Sequence, residues 1–354
     1  MALLMKRGAH MKIFWRGILV LLIVLFLLGG VLVGFVVSKL SLIDYDDGAY
    51  NPPAAADPTY SDSTVPEETV FEELVLDVSG LEEMETFPVI PEAEIQEKDD
   101  VVNILLLGTD SYDGKLTKYA RSDCMILVSI NKTDHTVKLV SLERAMGVYM
   151  ETGEQAGQWD LLTHAFRWGG AGLVCDCVEN HLRVEVDHYV RVTFNTFNTV
   201  VNAIGGVDIY LTEAEAVALQ MFFPYVQPGM NRLDGDAALS FARLRAIDSD
   251  WQRVERQRKV ILAAVDALKN ASLKDLNNLL DTTLPLIQTD MSMLEIADLM
   301  LYAPNFLQSQ FDQMTIPKQG TYGSKDGITG FAVDYETNSQ ILREFLYGSE
   351  ETDE

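Results

Sequence analysis

Basic residues are scarce in this chain: 27 Lys and Arg stand against 53 Asp and Glu, for a formal net charge of -26. So acidic a surface repels duplex nucleic acid unless a basic patch is set apart, and no helix-turn-helix pattern offers one. Cysteine is nearly absent too, with only Cys124, Cys175 and Cys177. The count is odd and the two nearest lie at i, i+2, a poor spacing for a relaxed disulfide, so all three read as packing residues. There is no G-x-S-x-G, no H-E-x-x-H and no C-x-x-C, which removes the serine-hydrolase elbow and the common zinc sites. Gly108 and Gly114-Lys115 imitate a phosphate loop, but the gap is one residue too long and Leu116 fills the Ser or Thr position. Asn131-Lys132-Thr133 and Asn270-Ala271-Ser272 fit the glycan sequon, which matters only in a host that glycosylates.

What the sequence does hold begins with an apolar stretch. From Gly17 to Val37 no residue is charged, about the length a helix needs to cross a hydrocarbon core of roughly 30 Å. Lys6, Arg7, Lys12 and Arg16 precede it, and Asp44, Asp46 and Asp47 follow soon after Lys39. That bias puts residues 1–16 in the cytoplasm, an anchor helix at 17–38 and everything beyond about residue 40 outside the cell. A cleaved signal peptide is the rival reading, but no small-x-small site follows the apolar run. Residues 39–100 are acidic and rich in Pro, Ser and Thr without sustained periodicity, and read as a solvated stalk holding the rest off the membrane.

At Val101 the texture changes. Apolar runs at 101–107, 124–130 and 137–142 read as buried strands, followed by helical patterns at 172–182, 195–204, 235–243 and 251–269 with short strands at 188–194 and 206–211 between them. Two helices within 273–303, strands at 313–316 and 330–334, and a helix at 335–347 complete a globular domain over 101–348, with an acidic tail at 349–354. Strands interleaved with helices predict an α/β domain in three layers, a central mixed β-sheet flanked by helices.

Two groups of residues carry candidate chemistry. Asp110 follows the first strand and Asp123 stands before the second, so the pair reads either as turn and cap aspartates or as ligands of one shared ion. Magnesium is the ion that two carboxylates suffice for, since water and a substrate phosphate complete its octahedron. The second group is arginine: Arg243, Arg245, Arg253, Arg256 and Arg258 fall within sixteen residues. Guanidinium forks suit a pyrophosphate, whereas the alternative is a solvated helix stitched by pairs such as Glu255 with Lys259. Asp250, Arg253 and Gln257 share one helix face, where Asp250 orients Arg253 or accepts a proton. Arg256 lies round toward another face, and Arg258 reads as a solvent-side charge.

At these residues the sequence resembles the LytR-CpsA-Psr family of cell-wall glycopolymer phosphotransferases, over about residues 101–345. The resemblance rests on Asn103 to Ser111, Arg121-Ser122-Asp123, Ser141-Leu142-Glu143-Arg144, Asp187 to Val190, Ile204 to Asp208, Leu233-Asp234-Gly235, Ala242 to Arg245 and Asp250 to Gln257. Tyr112 and Ala145 depart from the family pattern, which commonly has an arginine and an aspartate there. The resemblance implies that Asp110 and Asp123 bind Mg2+, while Arg121, Arg144, Arg243, Arg245, Arg253 and Gln257 contact a lipid pyrophosphate. It places Arg144, Asp250 and Arg253 in the catalytic set. It further implies a polyprenyl tail lying in an apolar tunnel between sheet and helices, and transfer of a teichoic-acid-like or capsular glycopolymer from polyprenyl pyrophosphate to peptidoglycan.

Other classes compete with this expectation. A cell-envelope regulator of the transcriptional attenuator type, a noncatalytic lipid binder and a pyrophosphatase using water as acceptor all fit the same residues. Direct promoter contact fails on topology, because only about sixteen residues lie inside. The topology is itself checkable: protease added to intact wall-stripped cells is expected to remove the domain beyond residue 40, and protection of that domain would contradict the anchor reading.

Overall fold

The computed structural model describes residues 37–46, 81–86, 88–109, 121–244, 247, 250–269, 272–306 and 309–348. A seven-stranded sheet runs in the order β1 (Asp44–Tyr45), β10 (Gln288–Thr289), β7 (His188–Thr193), β2 (Val101–Thr109), β3 (Ser122–Asn131), β4 (Thr136–Leu142), β11 (Phe311–Ile316). It is mixed, as expected: β2 pairs antiparallel with β3 and parallel with β7, and β4 pairs parallel with β11. The parallel β2–β7 pair cannot be closed by a tight turn. The chain between them supplies β4, the hairpin β5 (Gly147–Met150) and β6 (Gln158–Leu161), and α1 (Leu162–Leu182).

The two faces of the sheet are covered differently. On one, Leu105, Leu107, Met125 and Leu127 are fully buried under α1 and α8 (Tyr335–Tyr347). Each such side chain contributes about 1.5 to 3 kcal/mol relative to exposure. On the other, Ile126, Val137 and Leu139 are buried, with Leu106, Cys124, Val128 and Ile130 partly buried beside them, against Ile261 and Leu262 of α5 (Asp250–Lys269) and Phe306 of α7 (Met293–Phe306). A second cluster joins α2 (Phe194–Ala203), β8 (Val207–Leu211), α3 (Glu213–Gln220), β9 (Gly229–Leu233) and α4 (Gly235–Arg243) around Val207, Leu211, Leu219, Leu233 and Phe241. The remaining elements are α6 (Leu273–Thr283), a 3-10 turn at Leu284–Leu286, and the pair β12 (Tyr322–Gly323) and β13 (Ala332–Val333).

Helix α1 begins ten residues before the expected start at 172. Two helical segments meet at Gly170, which has φ 70° and ψ −162°, a conformation open to glycine. The Gly169-Gly170 pair interrupts the apolar periodicity in the sequence, so only the second segment was legible. All three cysteines are free, as expected.

The segment expected as a stalk is docked at both ends. Leu40 and Ile43 are buried, β1 pairs with β10, and the Tyr189 hydroxyl donates to Asp46 Oδ2 at 2.6 Å. Farther on, the Arg183 guanidinium bonds Pro91 O, Gln96 N donates to Arg183 O at 3.0 Å, and Lys325 Nζ donates to Met84 O at 2.7 Å. The stalk reading therefore narrows to residues 47–80, which lie outside the described residues. No helix among the described residues is long and apolar enough to cross a membrane, and the expected anchor at 17–38 lies outside them except for its last two positions.

Arg258 corrects another expectation. It is half-buried, and its Nη1 reaches Ser141 Oγ (3.1 Å), Met314 O (3.1 Å) and Thr315 Oγ1 (3.0 Å), fastening α5 to β4 and β11. Burial draws its pKa below the usual arginine range. Helical pitch is the reason: position 258 of α5 turns toward the sheet, where bare acceptors at the β4–β11 seam need a donor. Arg258→Ala is expected to lower stability by about 2 kcal/mol, read as a lower urea midpoint with unchanged slope. An unshifted midpoint would return Arg258 to the solvent side.

Candidate active site

One end of the sheet gathers the carboxyl ends of β2, β4 and β7 and the amino end of β3. There β2 and β3 run in register from Val101↔Asn131 to Gly108↔Cys124, after which Thr109 pairs with Ser122. Asp123 is thus the extra residue of a β-bulge, a device that re-aims a side chain at a sheet rim. Glycine at 108 is required by the close approach, since a Cβ there would lie 2.9 Å from Cys124 Cβ.

Arg144 follows the carboxyl end of β4 and is 2% exposed, yet its Nη1 lies 2.9 Å from Asp123 Oδ1. A charge-assisted bond of that length compensates a buried guanidinium and fixes the carboxylate against it. Its backbone is held as well, because Thr163 N donates to Arg144 O at 3.1 Å. Thr163 Oγ1 in turn donates to Ser122 O at 3.0 Å, so the first turn of α1 is bonded on both sides of the Arg144–Asp123 pair.

From the other side α5 presents Arg253 and Gln257, one turn apart. Gln257 Nε2 donates to Asp123 O at 3.3 Å. Arg253 is 2% exposed, and its charge is felt at Cys124: burial raises that thiol to about 12, Arg253 works to lower it and Asp123 to raise it. Arg121, partly buried, immediately precedes β3. Arg243 is exposed at the end of α4, its guanidinium 4.4 Å from the ring centroid of Phe194, the first residue after β7. It therefore also stands at this end of the sheet.

The other arginines of the cluster differ. Arg256 is a scaffold residue: it is buried, its Nη2 donates to Leu244 O at 2.6 Å, and its Nη1 lies 3.6 Å from Glu215 Oε1. It ties α5 to α3 and to the backbone just before residue 245. Arg245 and Asp110 lie outside the described residues, as does Tyr112, and so does the side chain of Asp250, which opens α5. Ala145, fully buried, gives its carbonyl to Phe331 N at 2.8 Å.

Sequence reasoning missed Arg191. It is buried on β7, with Nε 3.3 Å from Thr109 Oγ1, Nη1 2.8 Å from Gln288 Oε1 and the guanidinium 5.1 Å from the Phe166 ring centroid. Thr109 is the last described residue before Asp110, so Arg191 steadies the backbone that leads into it. The signal was an arginine inside an apolar strand, where burial demands partners.

Among the described residues no three His, Cys, Asp or Glu side chains group as a metal site. Of the expected pair, Asp123 lies among the described residues. Its carboxylate is 21% exposed at the bulge with Oδ1 bonded to Arg144, and it offers one hard oxygen donor to a cation completed by phosphate and water oxygens.

The sequence model of the LytR_cpsA_psr family matches residues 78–345. This chain belongs to that family. It is 33% identical over 246 residues to the polyisoprenyl-teichoic acid–peptidoglycan teichoic acid transferase TagU of Enterococcus faecalis, covering 68% of this chain and 78% of the relative. With the transferase of the same description, TagT, of Bacillus subtilis it shares 33% identity over 191 residues, 52% of this chain and 58% of the relative. Among solved structures, TagT bound to LIIa-WTA superposes with a TM-score of 0.56 at 26% identity, over 74% of this chain and 97% of that one. The family match begins before Val101, in agreement with the docking of residues 81–100.

Asp123→Asn removes the charge facing a buried guanidinium. It is expected to cost about 1.5 to 3 kcal/mol of stability, measured by urea unfolding, before any effect on chemistry is counted. An unchanged midpoint would show that Arg144 does not depend on this carboxylate.

Proposed function

We propose that this chain is an extracytoplasmic phosphotransferase, anchored by residues 17–38, that moves a glycopolymer from polyprenyl pyrophosphate to peptidoglycan. The observation that carries the reading is the meeting of Arg144, Asp123, Arg253 and Gln257 at one end of an apolar sheet face. A pyrophosphate head and a hydrocarbon tail need that juxtaposition. The relatives' description as teichoic acid transferases supports the same chemistry.

In this reading Arg121, Arg144, Arg243, Arg245 and Arg253 hold the pyrophosphate oxygens, Gln257 braces the bulge through Asp123 O, and Asp250 orients Arg253. The tail lies along Leu106, Val128 and Ile130 beneath α5 and α7. Asp110 and Asp123 hold Mg2+, which when bound offsets charge on the transferring phosphate. The buried Arg144 and Arg253 are held before substrate arrives, so they neutralise the charge that moves to the leaving polyprenyl phosphate without reorganising.

Calorimetry with a short-chain polyprenyl pyrophosphate and magnesium tests the site. Arg253→Ala is expected to weaken binding roughly tenfold to a hundredfold, and Arg253→Lys to recover part, because lysine restores charge without the planar fork. Arg232→Ala, which removes an exposed pair with Asp208 on the β8–β9 hairpin, is expected to change nothing. Equal losses at 232 and 253 would mean a diffuse electrostatic surface and end the proposal.

A further inference from the structure

Attack by an acceptor hydroxyl releases a proton. The residues assembled above are guanidinium groups, an amide and a carboxylate bonded to Arg144. Among the described residues, one histidine adjoins a residue bonded to the same end of the sheet. His164 is in the first turn of α1, next in the chain to Thr163, whose two bonds to Ser122 O and Arg144 O clamp that turn against the site.

The ring of His164 is oriented by a carboxylate. Its Nδ1 lies 2.8 Å from Asp160 Oδ1, which also accepts from Leu161 N at 2.8 Å, while Oδ2 accepts from Trp168 Nε1 at 2.8 Å. Burial raises the Asp160 carboxyl, but the bonds from His164, Trp168 and the Leu161 amide together hold it below the usual range. An ionised Asp160 keeps the proton on Nδ1 and leaves Nε2 as the basic atom. The side chain is 12% exposed, and no described residue bonds Nε2.

A histidine in the same helix shows what a structural role looks like. His181 is 1% exposed and both its nitrogens are engaged, Nδ1 with Cys177 O at 2.8 Å and Nε2 accepting from Tyr149 N at 2.9 Å. His164 shares the first arrangement and lacks the second.

We propose that His164 is the general base of the transfer and Asp160 its positioning residue, an inference that rests on the phosphotransfer reading above. Nε2 takes the proton of the acceptor hydroxyl as that oxygen forms a bond to the phosphorus bearing the glycopolymer. The bond from this phosphorus to the bridging oxygen breaks, its electron pair leaves with polyprenyl phosphate, and the imidazolium returns its proton to water.

The test uses the full chain in nanodiscs, a short-chain polyprenyl-pyrophosphate disaccharide as donor and a peptidoglycan fragment as acceptor. General bases contribute about a hundredfold to ten-thousandfold, so His164→Ala is expected to lower kcat at least a hundredfold. Donor affinity by calorimetry should stay within about twofold, and added imidazole should restore about tenfold or more of the lost rate. Asp160→Asn should lower kcat without responding to imidazole, because the ring is present but in the wrong tautomer. Should the alanine variant fail to fold, His164→Gln takes its place with the same expectations. A folded variant that binds donor and turns over at the unmodified rate overturns the proposal, and so does a loss that imidazole leaves untouched. If the unmodified chain transfers nothing, the phosphotransfer reading itself falls and the base falls with it.

Discussion

The pairing of β2 with one antiparallel and one parallel neighbour is the constraint from which the site follows. Because β7 runs alongside β2 in the same direction, the chain must make a long crossover, and that crossover delivers Arg144 and the first turn of α1 to the end of the sheet where β2 finishes. The bulge at Asp123 belongs to the same logic. An unbroken β2–β3 ladder would place Asp123 in the pleat, whereas the extra residue frees its side chain to meet a guanidinium.

Arginines crowded into one stretch of an otherwise acidic chain divide their work by helical pitch. Positions 253 and 257 of α5 look toward the bulge, 256 toward α3 and the end of α4, and 258 toward the β4–β11 seam. The scaffold arginines are not spare charge. By bonding Leu244 O, Arg256 fixes the backbone from which residue 245 departs, so losses at a scaffold position can be mistaken for losses of substrate contact.

Much of this was legible in the sequence. Long apolar runs between turn residues located β2, β3 and β4 within two residues at either end, and the helices expected at 235–243 and 251–269 are α4 and α5. What stayed hidden has physical causes. The Gly169-Gly170 break concealed half of α1, and with it His164 at its start. Thr212 and Glu215 form a capping box that announces α3, but the short helix after it offers little periodicity to read. The bulge could not be read at all, because it arises from a register shift between two strands, and Arg191 was lost inside a strand assigned on its apolar neighbours.

The docking of residues 39–46 bears on how far the domain can travel. The described residues on either side of 47–80 are fastened to the same body, so that length adds nothing to a leash between the domain and the proposed anchor. With the proposed anchor ending near residue 38 and Leu40 and Ile43 already buried against the domain, almost no free chain separates the two. On the proposed anchoring, a domain tethered so closely would survey a small patch of membrane around its own anchor. Its proposed lipid-linked substrate would then have to come to it by lateral diffusion in the bilayer.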